Sequence, residues 1–367
     1  MLGTRHALRR SSTVATVTSL ASFEKRSRIF SLIQPTGVVH LGNYLGALKN
    51  WKDILKNAPP CTQCLFGTAE LHSLTQLPAA EVLRHNRYGA IAAIIASGVD
   101  PQQCSLFHQS SVPEHCELYW VLTCLTSIGA LNRMTQWKLK LRVADGSDIF
   151  DERVMGQTKA GIFQYPVLQA ADILLYNATH VPVGEDQSQH LELSRTIAQT
   201  FNRTYGDFFT LPKTILTPTK KILALRNPAK KMSKSDPDHL SAVYLNDDPD
   251  TIARKFRKAV TDSIQGPVTF EPETRPGVAN LVSIIAAIQG KLAQETVVDL
   301  AWVQNHKQLK DYVTEVVVEE FREKRVLYDS ISGDKAYIDA VCAEGREKAR
   351  EVAVQNLKRV KELVGLL

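Results

Sequence analysis

From Arg28 onward the chain alternates short apolar runs with longer amphipathic stretches, and this alternation restricts the fold more than any other feature. Residues 29–33, 64–68 and 105–108 read as strands. Between them, Tyr44, Leu48, Trp51 and Leu55 recur at helical spacing, and a second helix is expected over roughly 78–97. Strands separated by helices of this length cannot pair as hairpins, so they must lie parallel and be joined by right-handed crossovers. The expected class is α/β, a Rossmann-like doubly wound parallel sheet. Between Lys140 and Gly161 the apolar periodicity disappears into an Ala-Asp-Gly-Ser-Asp stretch with scattered charges, which predicts a mobile insertion over about 141–160. Order is expected again at Phe163. From Pro276 to Leu367 the pattern is helical, with Tyr312, Val316, Val317 and Phe321 marking an apolar face and few Gly or Pro to interrupt it.

At 367 residues the chain exceeds what one core serves well, so two domains are expected, 28–240 built on the sheet and 241–367 mainly helical. No run approaches the ~18 consecutive apolar residues that a membrane span needs, and no membrane association is expected. The net charge of +6 is not spread evenly. Arg5, Arg9, Arg10, Lys25, Arg26 and Arg28 stand against Glu24 alone, so five of the six net charges belong to the first 28 residues. The remaining body is nearly neutral, and a nucleic-acid surface would have to be a local patch. The opening segment is rich in Arg, Ser and Thr, has no acid before Glu24 and no apolar core for secretion. Residues 1–27 therefore read as a mitochondrial transit peptide. Six cysteines in so long a chain do not make a disulfide scaffold. Cys61 and Cys64 form a lone C-x-x-C without a second pair or suitably spaced histidines, and they read as strand residues with no metal site predicted.

The first strand runs into Gln34-Pro35-Thr36-Gly37, and His40-Leu41-Gly42-Asn43 follows at a helix start. A tight turn feeding a helix N-terminus presents free N–H groups and the positive dipole end, which suits a phosphate. Gly42 leaves room for an adenine or ribose against the backbone. Alone, this turn reads more readily as a capped surface turn. It gains meaning from Lys231-Met232-Ser233-Lys234-Ser235, where two ammonium groups three residues apart, interleaved with hydroxyls, can close over a triphosphate and neutralise a departing pyrophosphate. Asp172, after two alanines, reads as opening an apolar helix, with its carboxylate facing inward to a pocket or capping the turn.

The His40–Asn43 and Lys231–Ser235 strings resemble the two signatures of the class I aminoacyl-tRNA synthetases, known as HIGH and KMSKS. The run from Tyr165 to Tyr176, Tyr-Pro-Val-Leu-Gln-Ala-Ala-Asp-Ile-Leu-Leu-Tyr, followed by Val-Pro-Val-Gly-Glu-Asp-Gln from Val181, resembles the tryptophanyl members in particular. The resemblance implies that Asp172 binds the indole N–H, with Tyr165 and Gln169 on the same amino-acid side. It places Gly184, Glu185 and Asp186 on ATP, together with Gln34, Pro35, Thr36, His40, Leu41, Gly42 and Asn43. Ile222 becomes an adenine neighbour, Lys231, Met232, Ser233, Lys234 and Ser235 the pyrophosphate loop, and Lys140 a phosphate contact. The residues implied to act in catalysis are His40, Asn43, Lys231, Ser233 and Lys234. Gln169 departs from the methionine of many bacterial members and is similar to mitochondrial ones.

The activity implied is a two-step acyl transfer with ATP and Mg²⁺. The L-tryptophan carboxylate attacks the α-phosphorus, pyrophosphate leaves, and the adenylate acylates tRNA(Trp) for translation in the mitochondrial matrix. The resemblance further implies a homodimer, anticodon recognition by 241–367, and final helices packing back on the catalytic domain. A tyrosyl-specific relative, a small nucleotidyltransferase with a similar turn, or a binding module descended from a synthetase are the competing readings. The contiguous match around Asp172, the complete lysine string and the intact Gly184 and Asp186 argue against them in turn.

Overall fold

In the computed structural model, described for residues 16–17, 27–144, 146–184, 188–216, 221–264 and 266–367, the strands form one parallel sheet in the order β1-β6-β5-β2-β3-β4. They are β1 Thr16–Val17, β2 Arg28–Ile33, β3 Gln63–Thr68, β4 Ser105–His108, β5 His180–Val183 and β6 Lys213–Leu216. The pairing of β2 with β3 runs from Arg28↔Gln63 to Ile33↔Thr68, and β5 meets β2 at Ile29↔His180. The chain winds outward from β2 through β3 to β4, then returns to the other side for β5 and β6. The strand order thus reverses between β2 and β5, and the carboxyl ends of these two strands flank the crevice where an open α/β sheet binds ligands. β1 adds two residues beside β6, Thr16↔Thr214 and Val17↔Ile215, inside the segment read as a leader.

A sheet covered on both faces buries both sides of its strands. Over one face, Trp51 of the Lys49–Asn57 helix stacks on Phe66 at 4.5 Å, and the buried end of the Ala80–Ala96 helix joins the same core. Over the other, the helices Glu114–Leu125, Ala160–Leu174 and Ser188–Tyr205 enclose Phe30, Phe107 and Tyr176. The helical part contains Pro276–Gln289, Ala293–Asp299, His306–Gly333 and Lys335–Val364, as the periodicity predicts. The last of these packs back across β4. A Cβ on Gly345 would lie 2.0 Å from the Leu106 carbonyl oxygen, so only glycine permits the approach. Arg350 pairs with Glu114 at 2.9 Å, and Asn356 donates to the Leu175 carbonyl at 2.8 Å.

Within 141–160 the described residues include the Glu152–Gln157 helix capped by Asp151, buried Ile149 and Val154, and an Asn132–Asp148 hydrogen bond at 2.9 Å; the apolar residues here are too widely spaced to show a period. Two local expectations need correction. Cys64 lies in β3, but Cys61 falls in the preceding turn. Asp172 does not open a helix; it sits in the last turn of Ala160–Leu174, which excludes an N-cap role.

Candidate active site

The turn after β2 is shaped by its backbone. Thr36 N–H donates to the Gln34 carbonyl at 2.9 Å. Gly37 has φ +118°, a conformation that L side chains rarely adopt, and its carbonyl accepts from Lys234 Nζ at 2.8 Å. His40 caps the next helix, its Nδ1 accepting from Asn43 N–H at 3.1 Å. Leu41 N–H reaches the Val243 carbonyl at 2.7 Å and Leu245 N–H the Val39 carbonyl at 2.9 Å, so the turn is stitched to the chain that follows the lysine string. Burial, then the charges of Lys234 and Lys231, lower the His40 pKa to about 3. The ring is therefore neutral, and with Nδ1 accepting, Nε2 carries the proton. An added Cβ on Gly42 would meet this ring at 3.1 Å. Asn43 Oδ1 is buried without a protein hydrogen-bond partner among the described residues, an acceptor suited to a donor on a bound nucleotide.

The lysine string is anchored as a strand-like pair with the segment before it. Leu223 bridges Lys231, Met232 N–H donates to the Ile222 carbonyl at 2.9 Å, and Ala224 N–H to the Lys230 carbonyl at 2.8 Å. Met232 and Ile222 are buried in the core, so their side chains fasten the loop, while Lys231 and Lys234 face the cavity. Ser233 and Ser235 pair through their hydroxyls at 3.0 Å. From the helical part, the buried Asn280 side chain both accepts from Leu223 N–H (2.8 Å) and donates to its carbonyl (3.0 Å). Burial lowers the Lys234 pKa to about 8.

Between the turn and the loop opens a cavity of about 480 Å³. Its walls include Gln34, Thr36, Asn43, Lys140, Tyr165, Gln169, Asp172, Gly184, Lys231 and Lys234. These expected residues, from five separated stretches of sequence, are brought together. Pro35 and Leu41 are buried, and with His40, Gly42, Ile222, Met232, Ser233 and Ser235 they stand outside the lining. Glu185 and Asp186 lie outside the described residues. Lys140 Nζ rests 3.9 Å over the Tyr165 ring, and Gln169 and Tyr165 share His190: Gln169 Oε1 is 2.9 Å from Nδ1 and the Tyr165 hydroxyl 3.2 Å from Nε2.

Asp172 is almost fully buried. Its Oδ2 is 2.8 Å from His72 Nε2, and its Oδ1 accepts from Gln109 Nε2 at 2.7 Å. His115 Nδ1 stands 2.7 Å from Oδ1, in charge contact though off the hydrogen-bond line. Burial alone would raise this carboxyl's pKa; the close His115 and His72 rings outweigh it and hold the group well below the ordinary range. A carboxylate offers about four acceptor directions. Gln109 and His72 take two by hydrogen bonds, the His115 ring crowds a second on Oδ1, and one on Oδ2 stays open.

His72, Gln109 and His115 escape a reading of the sequence, because an isolated histidine carries no motif. The one available signal is position. Glu70-Leu71-His72 and His108-Gln109-Ser110 follow the carboxyl ends of β3 and β4, where parallel sheets place their chemistry. There Glu70 accepts from Thr68 and from Ser110 N–H (3.2 Å) and stands 2.8 Å from His108 Nδ1, tying the two turns together.

A doubly wound sheet with a lysine loop over a nucleotide-sized cavity and a buried carboxylate in its wall defines an enzyme that activates a small molecule with a nucleoside triphosphate. Comparison with known proteins is specific. The family model for tRNA synthetases class I (W and Y) matches residues 22–322. The chain is 46% identical over 349 residues to the mitochondrial tryptophan–tRNA ligase of Saccharomyces cerevisiae, covering 94% of this chain and 92% of that one. It is 40% identical to the mitochondrial enzyme of Schizosaccharomyces pombe, at 96% and 99% coverage. Among solved structures it resembles the tryptophanyl-tRNA synthetase of Mycoplasma pneumoniae, with TM-score 0.81, 29% identity and coverage of 93% and 98%. It also resembles that of Campylobacter jejuni complexed with ADP and tryptophan, with TM-score 0.73, 30% identity and coverage of 92% and 99%. The chain belongs to the class I tRNA synthetase family of the W and Y type and is an aminoacyl-tRNA ligase.

Proposed function

We propose that the chain is a tryptophan–tRNA ligase that activates L-tryptophan with ATP and transfers it to tRNA(Trp) for mitochondrial translation. The observation that carries the tryptophan assignment is the Asp172 cage. A carboxylate held by the Gln109 amide and His72, with the His115 ring against Oδ1 and an acceptor direction open on Oδ2, reads a single N–H, which an indole presents. ATP lies along Gln34, Thr36, Gly42, Asn43 and Gly184, with Glu185 and Asp186 following Gly184 in sequence. Leu41, Pro35, Ile222 and Met232 support that wall through backbone and packing. Tyr165 and Gln169 flank the amino acid.

In the first step a tryptophan carboxylate oxygen bonds to the α-phosphorus as the bond to the pyrophosphate oxygen breaks. Negative charge gathers on the leaving group, and Lys231 and Lys234, with Ser233, are placed to receive it. Neutral His40 caps the turn that carries Asn43 to the nucleotide without adding charge. Mg²⁺ suits this chemistry as a partner of the triphosphate oxygens. Among the described residues no group of three His, Cys, Asp or Glu side chains is arranged to hold a metal ion, and the triphosphate oxygens would serve as ligands. The adenylate then acylates the terminal adenosine of tRNA, whose anticodon is read by the helical part. The working form is a homodimer of the mitochondrial matrix, with residues 1–27 as the import signal, in keeping with their acid-poor, Arg-rich composition.

ATP–pyrophosphate exchange with each of the twenty amino acids tests this reading. Exchange supported by tryptophan alone is expected; a preference for tyrosine would overturn the specificity, and no exchange with any would overturn the activity.

A further inference from the structure

We infer that Tyr176 and His115, neither of which lines the cavity, are positioning residues that set the proton pattern of the indole-recognising carboxylate and thereby tryptophan selectivity. The inference rests on the tryptophan reading above and deepens it.

The argument follows the protons. Asp172 is ionised and can only accept. His115 Nδ1 lies 2.7 Å from its Oδ1, and two bare lone pairs at that distance would repel, so Nδ1 must carry a proton. The other nitrogen of the same ring, Nε2, is 2.9 Å from the Tyr176 hydroxyl. Burial, then the negative charges of Asp172 and Glu114, raise the Tyr176 pKa far above its ordinary value. The hydroxyl thus keeps its proton and is within reach to donate it to Nε2, and a ring that accepts at Nε2 carries its N–H at Nδ1. Tyr176 in this way selects the tautomer that faces Asp172.

Geometry holds both rings in place. The Tyr176 ring stacks on Phe30 at 5.3 Å and leans on Phe107 at 6.0 Å, and its backbone carbonyl accepts from Arg28 at 3.0 Å. His115 is fully buried, with its ring along Phe107. With Gln109 bonded to Oδ1, the His115 ring pressed against it and His72 on Oδ2, the open direction lies on Oδ2. If His115 took the other tautomer, Oδ1 would face a lone pair, the carboxylate would turn, and that direction would no longer point at a bound indole. The closing tyrosine of the Ala-Ala-Asp-Ile-Leu-Leu-Tyr string and a histidine on a separate helix thus serve the same carboxylate.

The test uses the full chain in ATP–pyrophosphate exchange, with L-tryptophan and its sulfur analogue L-3-benzothienylalanine as substrates, alongside melting temperatures. Tyr176→Phe keeps the ring and removes the donor. It is expected to raise the KM for tryptophan about tenfold, narrow discrimination against the analogue by a similar factor, and leave the KM for ATP within about twofold. His115→Asn places an amide N–H where Nδ1 was and should retain discrimination, whereas His115→Leu should lose it. Because the hydroxyl acts through the imidazole tautomer, Tyr176→Phe added to His115→Asn should change nothing further. Unchanged tryptophan KM and discrimination in Tyr176→Phe would overturn the inference. So would equal damage to tryptophan, ATP and melting temperature, or additive effects in the double variant. If Tyr176→Phe does not fold, the two His115 variants decide: equal discrimination in both overturns the inference. A wild-type enzyme that does not prefer tryptophan would overturn the functional reading itself, which separates the two failures.

Discussion

Lys234 offers the sharpest test of how the site handles charge. Its ammonium is held by the Gly37 carbonyl at 2.8 Å and lies 3.5 Å from the Thr36 hydroxyl, and burial lowers its pKa to about 8. The sign follows directly. Below pH 8 the group is charged and can receive the departing pyrophosphate; above it, the charge is lost. In the free enzyme about nine-tenths of Lys234 is protonated at pH 7 and about one-tenth at pH 9. If only the charged form is productive, kcat/KM for ATP should fall close to tenfold over that interval. Bound triphosphate stabilises the ammonium, so the corresponding fall in kcat should lie at higher pH.

Two substitutions separate charge from shape. Lys234→Ala removes the contact and is expected to slow exchange about a hundredfold, ~3 kcal/mol of transition-state stabilisation, with little change in tryptophan binding. Lys234→Arg is charged throughout the accessible range, so it should lower the rate by misplacing the donor yet abolish the alkaline fall. The assay is steady-state pyrophosphate exchange from pH 6.5 to 9.5 with ATP as the varied substrate. An identical alkaline limb in Lys234→Arg, or tryptophan binding and rate falling equally in Lys234→Ala, would refute the assignment of Lys234 to the leaving group.

Asp172→Asn should raise the tryptophan KM by roughly a hundredfold or more while ATP KM stays nearly constant, because an amide has one acceptor oxygen where the carboxylate has two and cannot accept from Gln109, His72 and the substrate together; steady-state kinetics with each substrate varied checks this. The same substitution should alter acid stability. A carboxylate whose folded pKa is depressed contributes stability above its unfolded pKa near ~4 and loses it as pH falls further, so the Asp172→Asn melting curve should be flatter below pH 4. Asn280→Ala removes both hydrogen bonds that clamp Leu223 behind the lysine loop and should reduce kcat for exchange by about tenfold with a smaller effect on KM for tryptophan. Gly345→Ala would drive a Cβ to 2.0 Å from the Leu106 carbonyl and should destabilise the fold by about 2–3 kcal/mol in denaturant titration, leaving activity per folded molecule unchanged.

What the sequence discloses and what it hides divide along a physical line. The parallel sheet was legible because apolar runs at strand length, separated by helical spacing, admit few other topologies. The two signature strings were legible because each keeps its chemistry within five consecutive residues. Tertiary chemistry leaves no such trace. His72, Gln109 and His115 come from three separate stretches and meet only because β3 and β4 end side by side and the Glu114–Leu125 helix crosses above them. Even Asp172, singled out by its string, was misplaced: two alanines before an aspartate suggest a helix start, but here they are the small residues that let the last turn of a buried helix press against its neighbours. The carboxylate is therefore held by side chains rather than by helix N–H groups, and that difference decides its chemistry. A capped aspartate spends its lone pairs on its own backbone. One caged by two histidines and a glutamine keeps a direction free, and its protonation pattern depends on residues that never touch the cavity.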